Sequence, residues 1–340
     1  GVDAHHVRPL LREALALGDR AYVRSVLQDA QPVNEQARER LAGAIAVADR
    51  LPAEDVGAIA REHPADADML AAAVTWACHL GLPDMRRLAQ ALPGSAADVG
   101  SLSYLATRMR EAGELELSTE TAETVLQKQP GHLSMRRLAT LGRSSLDTLE
   151  NGWQPPERSG VTGHVETRRV DYLLHSSLPD TSLGYAIRTQ GLLSALGDLG
   201  WRVRGITQPG YPEDREADAR EIVDGVEYRR LRSGGPLPHW PVEEMVADYL
   251  ARLEPVLGSG SPGIVHAASN FRNGFAAVAS ARRAGLPCVY EVRGLWQHTR
   301  TVRDPGYADT EMFALLERLE VQAAQLADRV DGTGIDALAN

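Results

Sequence analysis

Lysine is nearly absent from this chain: Lys128 stands alone among 36 basic residues, and the other 35 are arginine. So strong a bias toward one cation points to a GC-rich, bacterial genome rather than to a selected chemistry. Cysteine is scarce too. Cys78 and Cys288 lie far apart and share no C-x-x-C spacing, so neither a disulfide framework nor a cysteine zinc site is built from them, and a reducing cytoplasm fits. Long apolar runs are missing. The most hydrophobic stretch, Met69 to Leu82, is interrupted by Thr75 and His79 and falls short of the ~20 residues that cross a bilayer. No secretory signal opens the chain, and Gly1 rather than Met stands first, so Gly1 is expected to be a processing boundary. Positive charge is in deficit: 46 acidic against 36 basic side chains give a net charge of −10, which argues against broad phosphate neutralisation on a nucleic acid.

What is present is globular. The 340 residues, 43% hydrophobic and 24% charged, suggest two domains at roughly 150 residues each. From about residue 5 to 148 the apolar residues recur at helical spacing, beginning with Leu10, Leu11, Ala14 and Leu17 and continuing with Val23, Val26 and Leu27. Leu102, Leu105, Ala106 and Met109, a turn at Gly113, then Ala122, Val125 and Leu126 before Pro130 form a pair resembling a tetratricopeptide unit. Gly18 and Gly81 also follow helical stripes but lack a proline at that interval, so residues 1–150 read either as a degenerate repeat array or as a plain helical bundle. Asp66-Ala67-Asp68 sits where acidic residues cap a helix start.

Residues 151–167 contain Asn151-Gly152, Pro155-Pro156, Ser159-Gly160 and Gly163 and read as a linker. Beyond it, strands are expected at 170–174, 202–207, 226–231, 264–268, 289–292 and 329–333, alternating with helices at 185–199, 242–257, 274–284 and 310–327. Such alternation calls for a mostly parallel, Rossmann-like sheet covered on both faces. Ligands then bind beyond the carboxyl ends of the strands, so the loops after Leu174, Ala268 and Val292 are the ones to inspect. The first leads through Gly184 into a helix, where backbone N–H groups and the helix terminus favour an anion such as phosphate; with only Gly184 and Gly191 present, the dinucleotide fingerprint is absent. His175 and His266 read as structural groups at strand ends. Glu311, Glu317 and Glu320 with Arg318 read as a solvated helix face.

Three segments, Gly-Tyr-Ala-Ile-Arg-Thr-Gln-Gly-Leu-Leu (184–193), Ile-Val-His-Ala-Ala-Ser-Asn-Phe-Arg-Asn-Gly (264–274) and Val-Tyr-Glu-Val-Arg-Gly-Leu-Trp-Gln-His-Thr-Arg (289–300), resemble the amino-terminal, acceptor domain of family 4 retaining glycosyltransferases with the GT-B fold, over 168–340. The resemblance implies transfer of a hexose from a nucleotide sugar to a saccharide or other hydroxyl acceptor with retention, without metal or other cofactor, in surface polysaccharide assembly. It implies donor contacts from Ser182, Leu183, Gly184, Arg188 and Gly294, groups against the transferred sugar from Arg293 and Glu291, and an acceptor side lined by Ser269, Asn270 and Asn273. Trp296 is expected either to stack on a sugar or to fill space under its loop. The polar excursion with Arg300, Arg303 and Asp304 is expected to help bind acceptor or to be a plain surface loop.

The sequence departs from the family at Leu183, where a glycine is common, and at Arg293, where a histidine is common. The family's second domain, with its nucleotide pocket and a pair of glutamates eight positions apart, is not found; Glu311, Glu317 and Glu320 are spaced by six and three. The chain is therefore expected to be a fragment, inactive alone, located in the cytoplasm or on the inner face of the membrane, whose helical domain recruits the acceptor or a protein partner. The alternative is a non-catalytic scaffold carrying a degenerate transferase domain.

Overall fold

The computed structural model describes residues 56–161, 165–213, 219–231, 241–257 and 261–332, with positions 21, 22, 25, 46, 47 and 50. The stripes around Leu10 and Val23, Gly18, Gly163 and the strand end at Thr333 lie outside the described residues. The chain divides into two compact units, Gly1–Arg143 with Asp309–Met312 and Ser144–Ala308 with Phe313–Asn340.

The first unit is helical: α1 (Val56–Glu62), α2 (Ala67–Leu80), α3 (Leu82–Ala91), α4 (Val99–Ala112) and α5 (Leu115–Lys128), with α6 (Leu133–Asn151) running on into the second. Its starts are capped by short acids. Asp66 accepts from the Met69 N–H at 3.0 Å, and Asp98 accepts from the Gly100 and Ser101 N–H groups at 2.9 and 3.1 Å, satisfying donors that a helix start leaves unpaired. Gly113, at φ 109°, ends α4 in a left-handed conformation that favours glycine. Leu102, Leu105, Ala106 and Met109 of α4 are buried with Ala122 and Val125 of α5 in one core that also holds Trp76 and Leu88. The helical hairpin read from the spacing is there.

The second unit is built on seven strands, β1 (Val165–Leu174), β2 (Arg202–Thr207), β3 (Arg220–Val223), β4 (Val226–Arg230), β5 (Ser261–Ala268), β6 (Cys288–Val292) and β7 (Arg329–Gly332), in the order β3-β4-β2-β1-β5-β6-β7. All pairs are parallel except β3 with β4. Helices α7 (Gly184–Asp198), α8 (Val242–Leu257), α9 (Phe271–Ala284), α10 (Trp296–Thr301) and α11 (Glu311–Leu326) connect them. β3 is the strand that periodicity does not announce. It is a charged four-residue edge whose one large apolar side chain, Ile222, is 65% exposed, so no buried alternation marks it. Its turn does: Asp224 and Gly225 both have positive φ, 46° and 81°, as a tight two-residue hairpin requires.

Tyr172, Tyr228, Tyr249, Tyr290 and Phe275 are fully buried. A Cβ on Gly205 of β2 would lie 2.5 Å from the Tyr228 ring, so only glycine lets that ring lie across the strand. β1 has β2 on one side and β5 on the other, so the direction of strand addition reverses there and a crevice opens beyond the carboxyl ends of β1 and β5.

Candidate active site

Because β1, β5 and β6 are parallel neighbours, the three loops singled out in the sequence leave the sheet at the same edge. The first, 175–183, enters α7 at Leu183, whose extended backbone (φ −75°, ψ 162°) offers no side-chain cap. Ser182, Leu183 and Gly184 are exposed, and a Cβ on Gly184 would meet nothing within 4 Å. The Arg188 side chain, one turn further on, is 50% exposed. An uncapped helix start beside a solvent-facing guanidinium favours an anion.

Beneath this mouth lies a buried charge cluster. Glu291 is the penultimate residue of β6; its Oε1 accepts from Arg188 Nη2 at 2.9 Å and its Oε2 from Arg293 Nη2 at 2.8 Å. The Tyr172 hydroxyl of β1 donates to the same Oε2, and Arg293 Nη2 also donates to that hydroxyl at 2.9 Å. Arg293 Nη1 donates to the Tyr185 carbonyl at 3.1 Å and to Thr189 Oγ1, so the last strand of the site grips the first turns of α7. Its guanidinium lies 4.7 Å from the centre of the Tyr185 ring. Burial alone raises the Glu291 pKa, but the hydrogen bonds from Arg293 and Tyr172 outweigh it and hold the carboxyl below its usual range.

Two histidines flank the cluster. The His266 ring stacks on Tyr172 at 4.0 Å, and its Nε2 is 3.8 Å from Glu291 Oε2. His175 packs on Tyr185 at 3.8 Å and meets the edge of Trp296 at 5.3 Å. Desolvation depresses both to about 4, so at neutral pH they are uncharged rings, poor general bases. With both neutral, Arg188 and Arg293 against Glu291 leave one positive charge in excess. Among the described residues no group of three or more His, Cys, Asp or Glu side chains could hold a metal ion.

Several expected site residues sit elsewhere than at the mouth. Ser269, Asn270 and Asn273 are buried. Ser269 Oγ accepts from the Arg293 N–H at 3.0 Å; Asn270 caps α9, accepting from the Arg272 N–H at 3.2 Å; Asn273 donates to the Ala268 carbonyl at 3.0 Å and accepts from the Tyr249 hydroxyl at 3.0 Å. These bonds tie all three side chains to the strand-to-helix turn, so they shape that loop. Arg293 and Glu291, expected against the sugar, are only 6% and 2% exposed and are spent on each other. Those that do face solvent are Ser182, Leu183, Gly184, Arg188, Gly294, Arg303 and Trp296, the last 53% exposed. The excursion after β6 is ordered rather than loose: α10 leads into a 3-10 turn at Pro305–Asp309, and Arg300 lies 3.9 Å over the Tyr307 ring.

Glu320 overturns the solvated-face expectation for its helix. It is buried, accepting from the Phe271 N–H at 2.9 Å and from the Tyr290 hydroxyl, and burial pushes its carboxyl up to about 7. The sequence held a signal, since Glu320 lies on the stripe of Phe313 and Ala323, buried residues at helical spacing. Arg230 was missed as well, although strand alternation places it on the inward face with Val226 and Tyr228.

A mostly parallel, Rossmann-like sheet with its site at the switch point is the architecture of one half of a GT-B fold. Residues 184–332 match the family of the glycosyl transferase 4-like domain. Among solved structures the chain is similar to sucrose-phosphate synthase from Thermosynechococcus elongatus, at 17% identity and a TM-score of 0.38, covering 48% of this chain and 42% of that one. It is also similar to a variant of the Thermobaculum terrenum O-GlcNAc transferase, at 14% identity and a TM-score of 0.28, covering 77% of this chain and 54% of that one. The chain thus spans about half the length of either structure, and at such scores neither similarity extends to activity. Comparison with curated proteins gave no match. Among the described residues no helix is long and apolar enough to cross a membrane.

Proposed function

We propose that this chain contributes the acceptor half of a glycosyltransferase that moves a hexose from a nucleotide sugar to a saccharide or other hydroxyl acceptor with retention, in the assembly of a surface polysaccharide. One observation carries the reading: within a glycosyl transferase 4-like domain, the loops after β1, β5 and β6 converge on Arg188, Glu291 and Arg293 beside the uncapped start of α7. In this reading the α7 amides from Gly184 and the Arg188 guanidinium meet the donor diphosphate. Fixed donors aimed at the charge that develops on a leaving diphosphate lower the barrier to transfer. Arg293 and Glu291 do not touch the sugar; they hold α7 and Arg188 in place and keep one unit of positive charge at the mouth. Trp296 offers the acceptor an exposed ring, with Gly294 and Arg303 beside it in the chain.

The test is an NMR titration of the chain with UDP, GDP, ADP and their sugar conjugates. Shifts are expected at the Gly184 and Tyr185 amides and at the Trp296 indole, and Arg188→Ala should abolish the amide shifts. Absence of any response, or a response that Arg188→Ala leaves intact, would reject the donor site.

A further inference from the structure

The loop that delivers α7 to the mouth, 175–183, is tied down from the far edge of the sheet. Arg230, the last residue of β4, has a side chain with no solvent exposure. Its Nη1 donates to Ser177 Oγ, and its Nη2 donates to the Leu178 carbonyl at 2.9 Å. Glu221 of the edge strand β3 holds the other side of the guanidinium, accepting from Nε at 2.8 Å and from Nη2 at 2.6 Å. The Asp180 carboxylate stands 3.7 Å away, and the Tyr211 and Tyr228 rings flank the group at 5.6 and 5.3 Å. Tyr211 grips the same loop independently: its hydroxyl donates to the Ser177 carbonyl at 2.8 Å, lies 3.3 Å from the Ser177 N–H and 2.8 Å from Thr181 Oγ1.

Burying a guanidinium costs several kcal/mol unless its donors are all used, and a loop needs no such group merely to stay on the surface. Here the donors are spent on one carboxylate from the sheet edge and on two loop residues, six and seven positions before α7 begins. We propose that Arg230, assisted by Tyr211, is a positioning residue for the anion site: it fixes the loop so that the first turn of α7 and Arg188 point at the ligand, without touching the ligand itself. The short antiparallel β3, which does not extend the parallel sheet, then has a purpose, since it supplies Glu221 to orient the arginine. This inference rests on reading the α7 start as the diphosphate contact.

The experiment titrates the full chain with inorganic pyrophosphate, following the Gly184 and Tyr185 amides, and records thermal unfolding of each variant. Arg230→Met is expected to weaken pyrophosphate binding roughly tenfold in protein that remains folded, since a displacement near 1 Å imposed from a distance can cost up to about 100-fold. Arg230→Lys, which keeps a donor within reach of Ser177 and Leu178, should recover part of the affinity, a rescue that a purely stabilising role does not predict. Ser177→Ala combined with Tyr211→Phe removes only two hydroxyls; it should reproduce the weakening, and it decides the matter if Arg230→Met fails to fold. If wild-type amides respond and Arg188→Ala silences them while the folded Arg230 or Ser177/Tyr211 variants bind as well as wild type, the positioning role is wrong and the anion site stands. If wild type does not respond at α7, both fall.

Discussion

Arg188 and Arg293 reach the same carboxylate from opposite environments, and that difference decides what each is for. Arg293 and Glu291 are both buried, whereas the Arg188 side chain is half exposed. Removing one partner of a buried pair leaves an uncompensated charge and costs about 3–5 kcal/mol, while an exposed pair contributes about 0–1 kcal/mol. Glu291→Ala is therefore expected to lower the unfolding free energy by about 3 kcal/mol or more in urea, and Arg188→Ala by less than about 1 kcal/mol. Equal losses would mean that Arg188 belongs to the structural cluster and is not held ready for a ligand. The resemblance assigned Arg188 to the donor and Arg293 and Glu291 to the transferred sugar, but the sequence did not show that the last two are buried, because burial depends on which helix closes over the strand. Asn273 shows the same limit: beside a strand end it reads as a ligand group, yet its amide is consumed by Ala268 and Tyr249.

At the scale of elements, what was legible followed from period. The α4–α5 hairpin and the alternation of strand and helix after residue 168 carry apolar repeats strong enough to be read without a structure. β3 and the inward course of Arg230 were not read, since a charged edge strand buries nothing and an arginine on the inner face of β4 is visible only once the strand's register is known. Glycines separate the elements built for packing from the one left open. Gly205→Ala would drive a methyl into the Tyr228 ring, whose hydroxyl donates to Gln190 at 2.6 Å, and should cost about 1–3 kcal/mol by overpacking. Gly184→Ala meets no neighbour; at the start of a helix it should leave stability unchanged or raise it by up to about 1 kcal/mol while weakening the response of the α7 amides to pyrophosphate. Thermal unfolding and the titration on the same two proteins check the contrast. A Gly184→Ala protein that binds as well as wild type would show that the anion does not approach this backbone.

For the molecule as a whole, the buried ionisable groups of the sheet unit set opposing pH dependences. His175 and His266 have folded pKa values near 4, below the ordinary 6.5. Between these limits the unfolded chain binds more protons than the folded one, so their contribution to stability is complete above pH 6.5 and is lost as the pH falls toward 4. Glu320 works in the other direction. Its folded pKa near 7 lies above the ordinary 4.5, so the folded state holds the extra proton, and stability falls as the pH rises from 4.5 to 7. In the shared window one carboxyl offsets one of the two histidines. Replacing Glu320 by Gln keeps a neutral group of the same shape, whose carbonyl can still accept from the Phe271 N–H, and removes the offset. The variant's stability should therefore climb with pH across this window about twice as steeply as that of the wild type. Relative to wild type it should gain about 3 kcal/mol between pH 4.5 and 7.5, at 1.36 kcal/mol per pKa unit. Urea unfolding of the two proteins at several pH values measures the difference directly, and contributions common to both, including those of the helical unit, cancel. A difference that does not change with pH would mean that Glu320 ionises in the fold as freely as in water, contrary to its burial against Tyr290 and the start of α9.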